Sequence, residues 1–277
     1  SIVCMSTLTV TLIQTNLHWE DKAANLAMLC DKINGIKERT EIVVLPEMFS
    51  TGFSMRPEAL AETMDGPTVS WMRETAAAKR IILTGSFICK EEQEGTIQYY
   101  NRLLWMLPNG QYGVYDKRHR FGYAGEDNHY TAGNKRLIAS VKGWKINLQV
   151  CYDLRFPVWA RQQPRLDSPE YDLLLYVANW PERRSHAWKT LLQARAIENQ
   201  CYVVGVNRVG NDGNAIYHSG DSLVADPLGE VLYTCKDAED VHTIVLEKTH
   251  LDDIRKRLPF LKDADDFQLL NDEPGEE

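Results

Sequence analysis

Three residues with side chains suited to acyl-transfer chemistry each stand at the end of a strand-like segment: Glu47 in "VVLPEMFSTGF", Lys117 in "YDKRHRF" and Cys151 in "LQVCYDLRFP". A thiol attacks a carbonyl carbon, a carboxylate takes the thiol proton and returns it to a leaving amine, and an ammonium holds the oxyanion. The ammonium also favours the thiolate. Taken singly, each residue has a plainer reading. A cysteine at a strand end is most often a small buried hydrophobe, and an acid or lysine there is a solvated charge. Three such ends on one rim of a sheet change that reading, because ligands of open α/β sheets bind outside the carboxyl ends of the strands. The rival arrangement is a cysteine–histidine pair using His119, His129, His186 or His218, none of which lies in a cysteine-protease signature. Cys89 in "GSFICKEE" and Cys201 in "ENQCYVVG" have no acid or base at a nearby strand end and read as core.

The elements that must position these residues are legible as alternating apolar patterns. Strands are predicted at 8–14, 42–46, 81–87, 102–107, 144–150, 173–178, 202–206, 222–226 and 242–247, and "YGVY" before Lys117 is strand-like too. Helices are predicted at 21–39, at 67–80 with proline in the first position, and at 186–200. Turns at "LPNGQ", "VKGW" and "DPLGE" join some strands as hairpins, so the chain is α/β with a mixed sheet. No repeat or linker divides residues 1–277, which predicts a single domain with an ordered core over about 6–268. The acidic end "LLNDEPGEE" is expected to be a mobile tail.

Composition narrows the function classes. A formal net charge of −8 over 277 residues argues against broad phosphate-backbone binding, so no nucleic-acid partner is expected. No stretch approaches the roughly 18 apolar residues of a membrane span, so no membrane partner is expected either. The six cysteines are scattered without a CxxC pair or a Cys/His cluster, which predicts no metal and free thiols in a reducing cytoplasm. Met5 precedes the first alternating strand, which marks residues 1–4 as an extension or the product of an alternative start. There is no GxGxxG after the first strand and no P-loop, and a thiol hydrolase needs no cofactor.

"LPEMFSTGF", "YDKRHRF" and "CYDLRFP", in that order and spacing, resemble the nitrilase, or carbon-nitrogen hydrolase, superfamily. The likeness continues through "YVANWP", "ARAIENQCYVVGVNRVG", "HSGDS" and "ADPLGE" over nearly the whole chain. It implies a four-layer αββα sandwich and a homodimer, with a Glu/Lys/Cys triad on Glu47, Lys117 and Cys151. It also implies a second glutamate, Glu126, bracing the lysine, and an oxyanion contact from the backbone N–H of Tyr152. The alternative for Glu126 is a solvated loop acid.

The wording after the cysteine is similar to the amidase branch, which includes omega-amidases, rather than to true nitrilases. The implied reaction is hydrolysis of a small primary amide through a thioester, with 2-oxoglutaramate-like monoamides of dicarboxylic acids as substrates. Nitrile or N-carbamoyl hydrolysis by the same triad and a silent binding scaffold are the alternatives. An anionic substrate needs a local cation in this acidic chain, and Arg155 and Arg208 are the candidates in matching motifs. Arg155 has a competing role, pairing with Asp153 or Glu198. Phe121, Tyr123 and Trp180 are candidate pocket walls, with ordinary packing as their other reading.

Overall fold

A computed structural model describes residues 6–163 and 168–270. The proposed extension at residues 1–4 and the end of the acidic tail lie outside them. In chain order the strands are β1 (Thr7–Gln14), β2 (Ile42–Val44), β3 (Ile82–Gln93), β4 (Thr96–Met106), β5 (Tyr112–Asp116), β6 (Leu137–Val141), β7 (Trp144–Val150), β8 (Leu173–Val177), β9 (Tyr202–Val206), β10 (Val209–Asn211), β11 (Tyr217–Ala225), β12 (Val231–Lys236) and β13 (Asp240–Glu247). They form two mixed sheets, β13-β1-β2-β3-β4-β5 and β10-β11-β9-β8-β7-β6, with β12 pairing β11. Each sheet is parallel at its centre, over β1-β2-β3 and over β7-β8-β9, and antiparallel outside it.

Period-two patterning separates the layers. Leu8, Val10 and Leu12 of β1 and Ile42 and Val44 of β2 join Ile146, Leu148 and Val150 of β7 in the core between the sheets. The opposite faces, with Ile13, Val43 and Leu83, pack on Leu29 and Ile33 of the helix Lys22–Asn34 and on Val69, Met72 and Ala76 of the helix Pro67–Lys79. Trp188, Leu192 and Ala196 of the helix Ser185–Asn199 cover the outer side of the second sheet. The result is the expected αββα sandwich. Each fully buried aliphatic side chain contributes about 1.5–3 kcal/mol, so these faces dominate the stability.

Register decides what emerges at the rim. Val150, Val177 and Val206 pair in one row, so Cys151, Ala178 and Asn207 leave the second sheet side by side. Val44, level with Leu12 and Thr84, releases Glu47 from the middle of the first sheet.

Several elements differ from expectation for identifiable reasons. β3 runs six residues beyond its predicted end, to Gln93, because Glu94 and Gly95, both at positive φ, make a two-residue hairpin into β4. The helix predicted to Arg39 stops at Asn34, where Gly35 caps it. The helix Lys248–Arg257 went unread because it buries only Leu251 and Ile254. Leu269, expected in the tail, still packs on the core.

Candidate active site

Glu47, Lys117 and Cys151 meet at the rim, each within three residues of a strand end. Lys117 Nζ donates to Glu47 Oε1 at 3.0 Å and to Glu126 Oε2 at 2.9 Å, with all three side chains fully buried. Asn101 of β4 steadies both acids, its Nδ2 lying 2.8 Å from Glu47 Oε1 and 3.3 Å from Glu126 Oε1. The second oxygen of Glu47 accepts the Asn179 N–H at 2.8 Å, and the Asn179 side chain donates to the Glu47 carbonyl. The Phe121 N–H donates to Glu126 Oε2 at 2.5 Å, so Glu126 is a buried brace and not a solvated loop acid.

These contacts set the charges. Burial pulls the Lys117 pKa down, but the carboxylates of Glu126 and Glu47 outweigh it and hold the group firmly as an ammonium. Burial raises the Glu126 pKa, against the pull of Lys117, with the Glu47 charge adding to the rise. For Cys151 the expected depression by the ammonium does not prevail. Burial and then the Glu47 carboxylate push the thiol well above its ordinary range, outweighing Lys117. So held, the thiol is neutral at rest, and a nearby carboxylate is a group able to accept its proton.

Cys151 opens a 3-10 turn, Cys151–Arg155, and its backbone is left-handed with φ 44°. For a residue with a Cβ that conformation costs about 1–2 kcal/mol, and it aims the side chain out of the sheet toward the rim. The Tyr152 amide lies in the first turn of this helix, where N–H groups have no carbonyl within the helix to bond. Its ring packs on Phe121, with centroids 5.0 Å apart.

Above the thiol lies a cavity of about 290 Å³ whose lining includes Lys117, Cys151, Tyr152, Asn179, Phe53 and Phe121. That is near the lower end for ligand pockets and suits a small molecule. Arg155, Trp180 and Tyr123 line it too, with the Arg155 guanidinium 4.9 Å from the Trp180 ring centre. Arg155 pairs with neither proposed acid: Asp153 is engaged by Tyr115 and His119, and Glu198 by Arg195. Arg183 and Arg184 also face the cavity, Arg184 stacking 5.2 Å from the Phe121 ring centre. Burial and then the neighbouring Arg183 lower the Arg184 pKa.

Arg208 does not belong to this set. Its guanidinium is wholly buried and donates to Asn16 Oδ1 at 2.9 Å, the Asn211 carbonyl at 3.1 Å and the Val209 carbonyl at 3.2 Å, bracing its own loop. Burial lowers its pKa to about 10. Of the histidine alternatives, His119, His129 and His186 do not line the cavity. His119 turns its Nδ1–H to Asp153 at 2.8 Å, while His218 lines the cavity but points its Nδ1 at backbone carbonyls.

Four residues of the site went unread in the sequence: Asn101, Asn179, Arg183 and Arg184. Asn101 had a signal, an amide inside an otherwise strand-favouring run, where asparagine is depleted. Arg183 and Arg184 follow "NWPE" directly, past the end of β8, at the same edge as Cys151. Among the described residues no group of three His, Cys, Asp or Glu side chains could hold a metal ion.

Comparison with known proteins gives the family and the fold. Residues 9–255 match the family described as Carbon-nitrogen hydrolase. The chain is 44% identical to the omega-amidase YafV of Escherichia coli K12, over 96% of this chain and 100% of that one. It is 28% identical to the 2-oxoglutaramate amidase of Bacillus subtilis, over 92% of this chain and 96% of the relative. A CN-hydrolase superfamily protein of Xanthomonas campestris, solved with an arsenic adduct in its active site, superposes with a TM-score of 0.91 at 43% identity, covering 96% of this chain and 100% of that one.

Proposed function

Since the chain belongs to the carbon-nitrogen hydrolase family, we propose that it is an omega-amidase, hydrolysing the terminal amide of a short dicarboxylic monoamide such as 2-oxoglutaramate. The observation that carries this reading is the combination of a Glu47–Lys117–Glu126 cluster around Cys151 with three arginines at the same small cavity.

In this reading Cys151 Sγ bonds to the amide carbon while its proton passes to Glu47. Lys117 and the Tyr152 N–H hold the oxyanion. The C–N bond then breaks, Glu47 gives its proton to the nitrogen, and ammonia leaves a thioester on Cys151. Water attacks the thioester with Glu47 as base, releasing the dicarboxylic acid and restoring the thiol. Glu126 keeps Lys117 in place through this cycle. The free carboxylate of the substrate lies against Arg155, Arg183 and Arg184, and Phe121 and Trp180 form the apolar walls.

An ammonia-release panel tests the reading. The expected order puts 2-oxoglutaramate well above a neutral aliphatic amide of similar length, a nitrile and an N-carbamoyl amine. Neutralising Arg155 and Arg184 together raises KM for the charged amide by about 10- to 100-fold, as loss of charge-assisted hydrogen bonds requires, with little change for the neutral one. Equal kcat/KM for both amides in the unaltered enzyme would remove the anionic substrate and leave the thiol mechanism standing.

The same reading takes the protein as a cytoplasmic homodimer. Cys151 must remain a thiol, which a reducing compartment ensures, and secretion of the intact chain to an oxidising one would overturn that placement. Ile197, at 55% exposure on the helix Ser185–Asn199, lies against Gly229, next to the half-exposed Leu228, an apolar surface suited to a second copy. Sedimentation at working concentration is expected to give a dimer, and a stable, fully active monomer contradicts it.

A further inference from the structure

We propose that Asp153 is a positioning residue that locks the turn carrying Cys151 to the loop carrying Lys117. Its carboxylate is fully buried and lies two residues after the nucleophile. One oxygen, Oδ2, accepts the Val150 N–H at 3.0 Å, reaching back across the left-handed Cys151 and closing its turn. The same oxygen accepts the Tyr115 hydroxyl at 2.7 Å. The other oxygen accepts the His119 N–H at 3.0 Å and the His119 Nδ1–H at 2.8 Å.

Tyr115 and His119 stand two residues before and two after Lys117. One carboxylate therefore brackets the lysine on both sides while it holds the backbone of the cysteine. The outer parts of this cluster are fixed in turn. The Tyr115 oxygen accepts Trp159 Nε1–H at 2.9 Å, and the His119 ring stacks on Phe156 at 4.0 Å with the planes 10° apart. None of these side chains lines the cavity, so the cluster acts on the reaction only by fixing where Sγ and Nζ sit relative to each other.

That separation matters because the thiol is neutral at rest. Attack, proton transfer and oxyanion binding must coincide, and a displacement of about 1 Å is enough to cost about 100-fold in rate. Asn at position 153 fits the space but turns an amide NH2 toward two of the four donors in either orientation.

This inference rests on the thiol-hydrolase reading, so the test pairs turnover of 2-oxoglutaramate with alkylation of Cys151 by iodoacetamide, which needs no amide hydrolysis. Tyr115→Phe and His119→Asn are each expected to lower kcat about 10-fold or more and to slow alkylation in parallel, with KM changed less than about twofold and thermal unfolding still cooperative. Added to Asp153→Asn, neither is expected to reduce the rate further, since both act through the same carboxylate. Independent multiplication of the losses, or a rise in KM at unchanged kcat, overturns the proposal. Should Asp153→Asn not fold, the Tyr115→Phe/His119→Asn pair serves instead: a combined loss smaller than the product of the single losses supports the clamp, and a full product refutes it. Slowed alkylation in an enzyme inactive on every amide would leave the clamp intact and overturn only the substrate reading.

Discussion

Cys151→Ala is expected to abolish ammonia release, by about 10⁵-fold or more, while leaving the fold in place. In the proposed mechanism the sulfur is the attacking atom, and among the described residues the other buried thiols do not replace it: Cys89 and Cys201 are pushed up to about 12, chiefly by desolvation, and neither lines the cavity. Alanine keeps the Cβ and tolerates the left-handed backbone about as poorly as cysteine does, so the substitution removes the nucleophile and little else. Cys151→Gly is a useful companion. Glycine takes φ 44° without steric cost, relieving about 1–2 kcal/mol, so the glycine variant is expected to unfold no earlier than the alanine one although it loses more atoms. Substantial turnover by a folded Cys151→Ala protein would place the chemistry elsewhere.

That Glu47, Lys117 and Cys151 come together was legible because these residues sit close to where strands end. The end of β7 was placed to the residue, and that of β5 one residue early, at Tyr115 instead of Asp116, which was close enough to set Cys151 and Lys117 at the sheet edge. Glu47 follows a strand only three residues long, which ends at Val44, two residues before its predicted end at Pro46, but the unbroken apolar run still marked a buried strand leading to Glu47. What could not be read is what depends on distant parts of the chain meeting. Asn101 and Asn179 matter only because β4 and the segment that follows β8 both reach Glu47. Arg208 was misplaced for the complementary reason. It lies two residues beyond β9, at the correct edge, but its side chain is consumed by three oxygen acceptors, the Asn16 side chain and the carbonyls of Val209 and Asn211 in β10. Position along the chain gives the edge of the sheet. It does not give the direction in which a long side chain leaves it.

The expected depression of the Cys151 pKa failed by the same kind of omission. A lysine beside a cysteine is visible in a pattern of motifs, but complete burial of the thiol and a carboxylate already paired to that lysine are not. The electrostatics therefore reverse the anticipated sign, and they make the proton acceptor more important than the cation.

Glu47→Gln carries that consequence furthest, with an expected loss of about 10³- to 10⁴-fold on the amide, near the upper range for a general acid–base residue. Glutamine has nearly the same shape but cannot take the thiol proton, protonate ammonia or activate the deacylating water. It also places an NH2 against either Lys117 and Asn101 or the Asn179 N–H, all of which are donors. Raising the pH across the neutral range does not rescue it. The thiol of the unaltered enzyme lies well above its ordinary pKa, burial being the main cause; although removing the Glu47 charge eases that rise, burial alone still keeps the thiol protonated there. Two losses are separable by the leaving group. An aryl ester of the same dicarboxylic acid expels a phenolate that needs no proton, so Glu47→Gln is expected to retain a larger share of the wild-type acylation rate on the ester than on the amide. Acylation by the ester is read as a burst of phenolate, and ammonia release reports the amide. An equal loss on both substrates would mean that Glu47 acts mainly by holding Lys117 in place. An amide rate within about tenfold of wild type would mean that the proton goes to another group altogether.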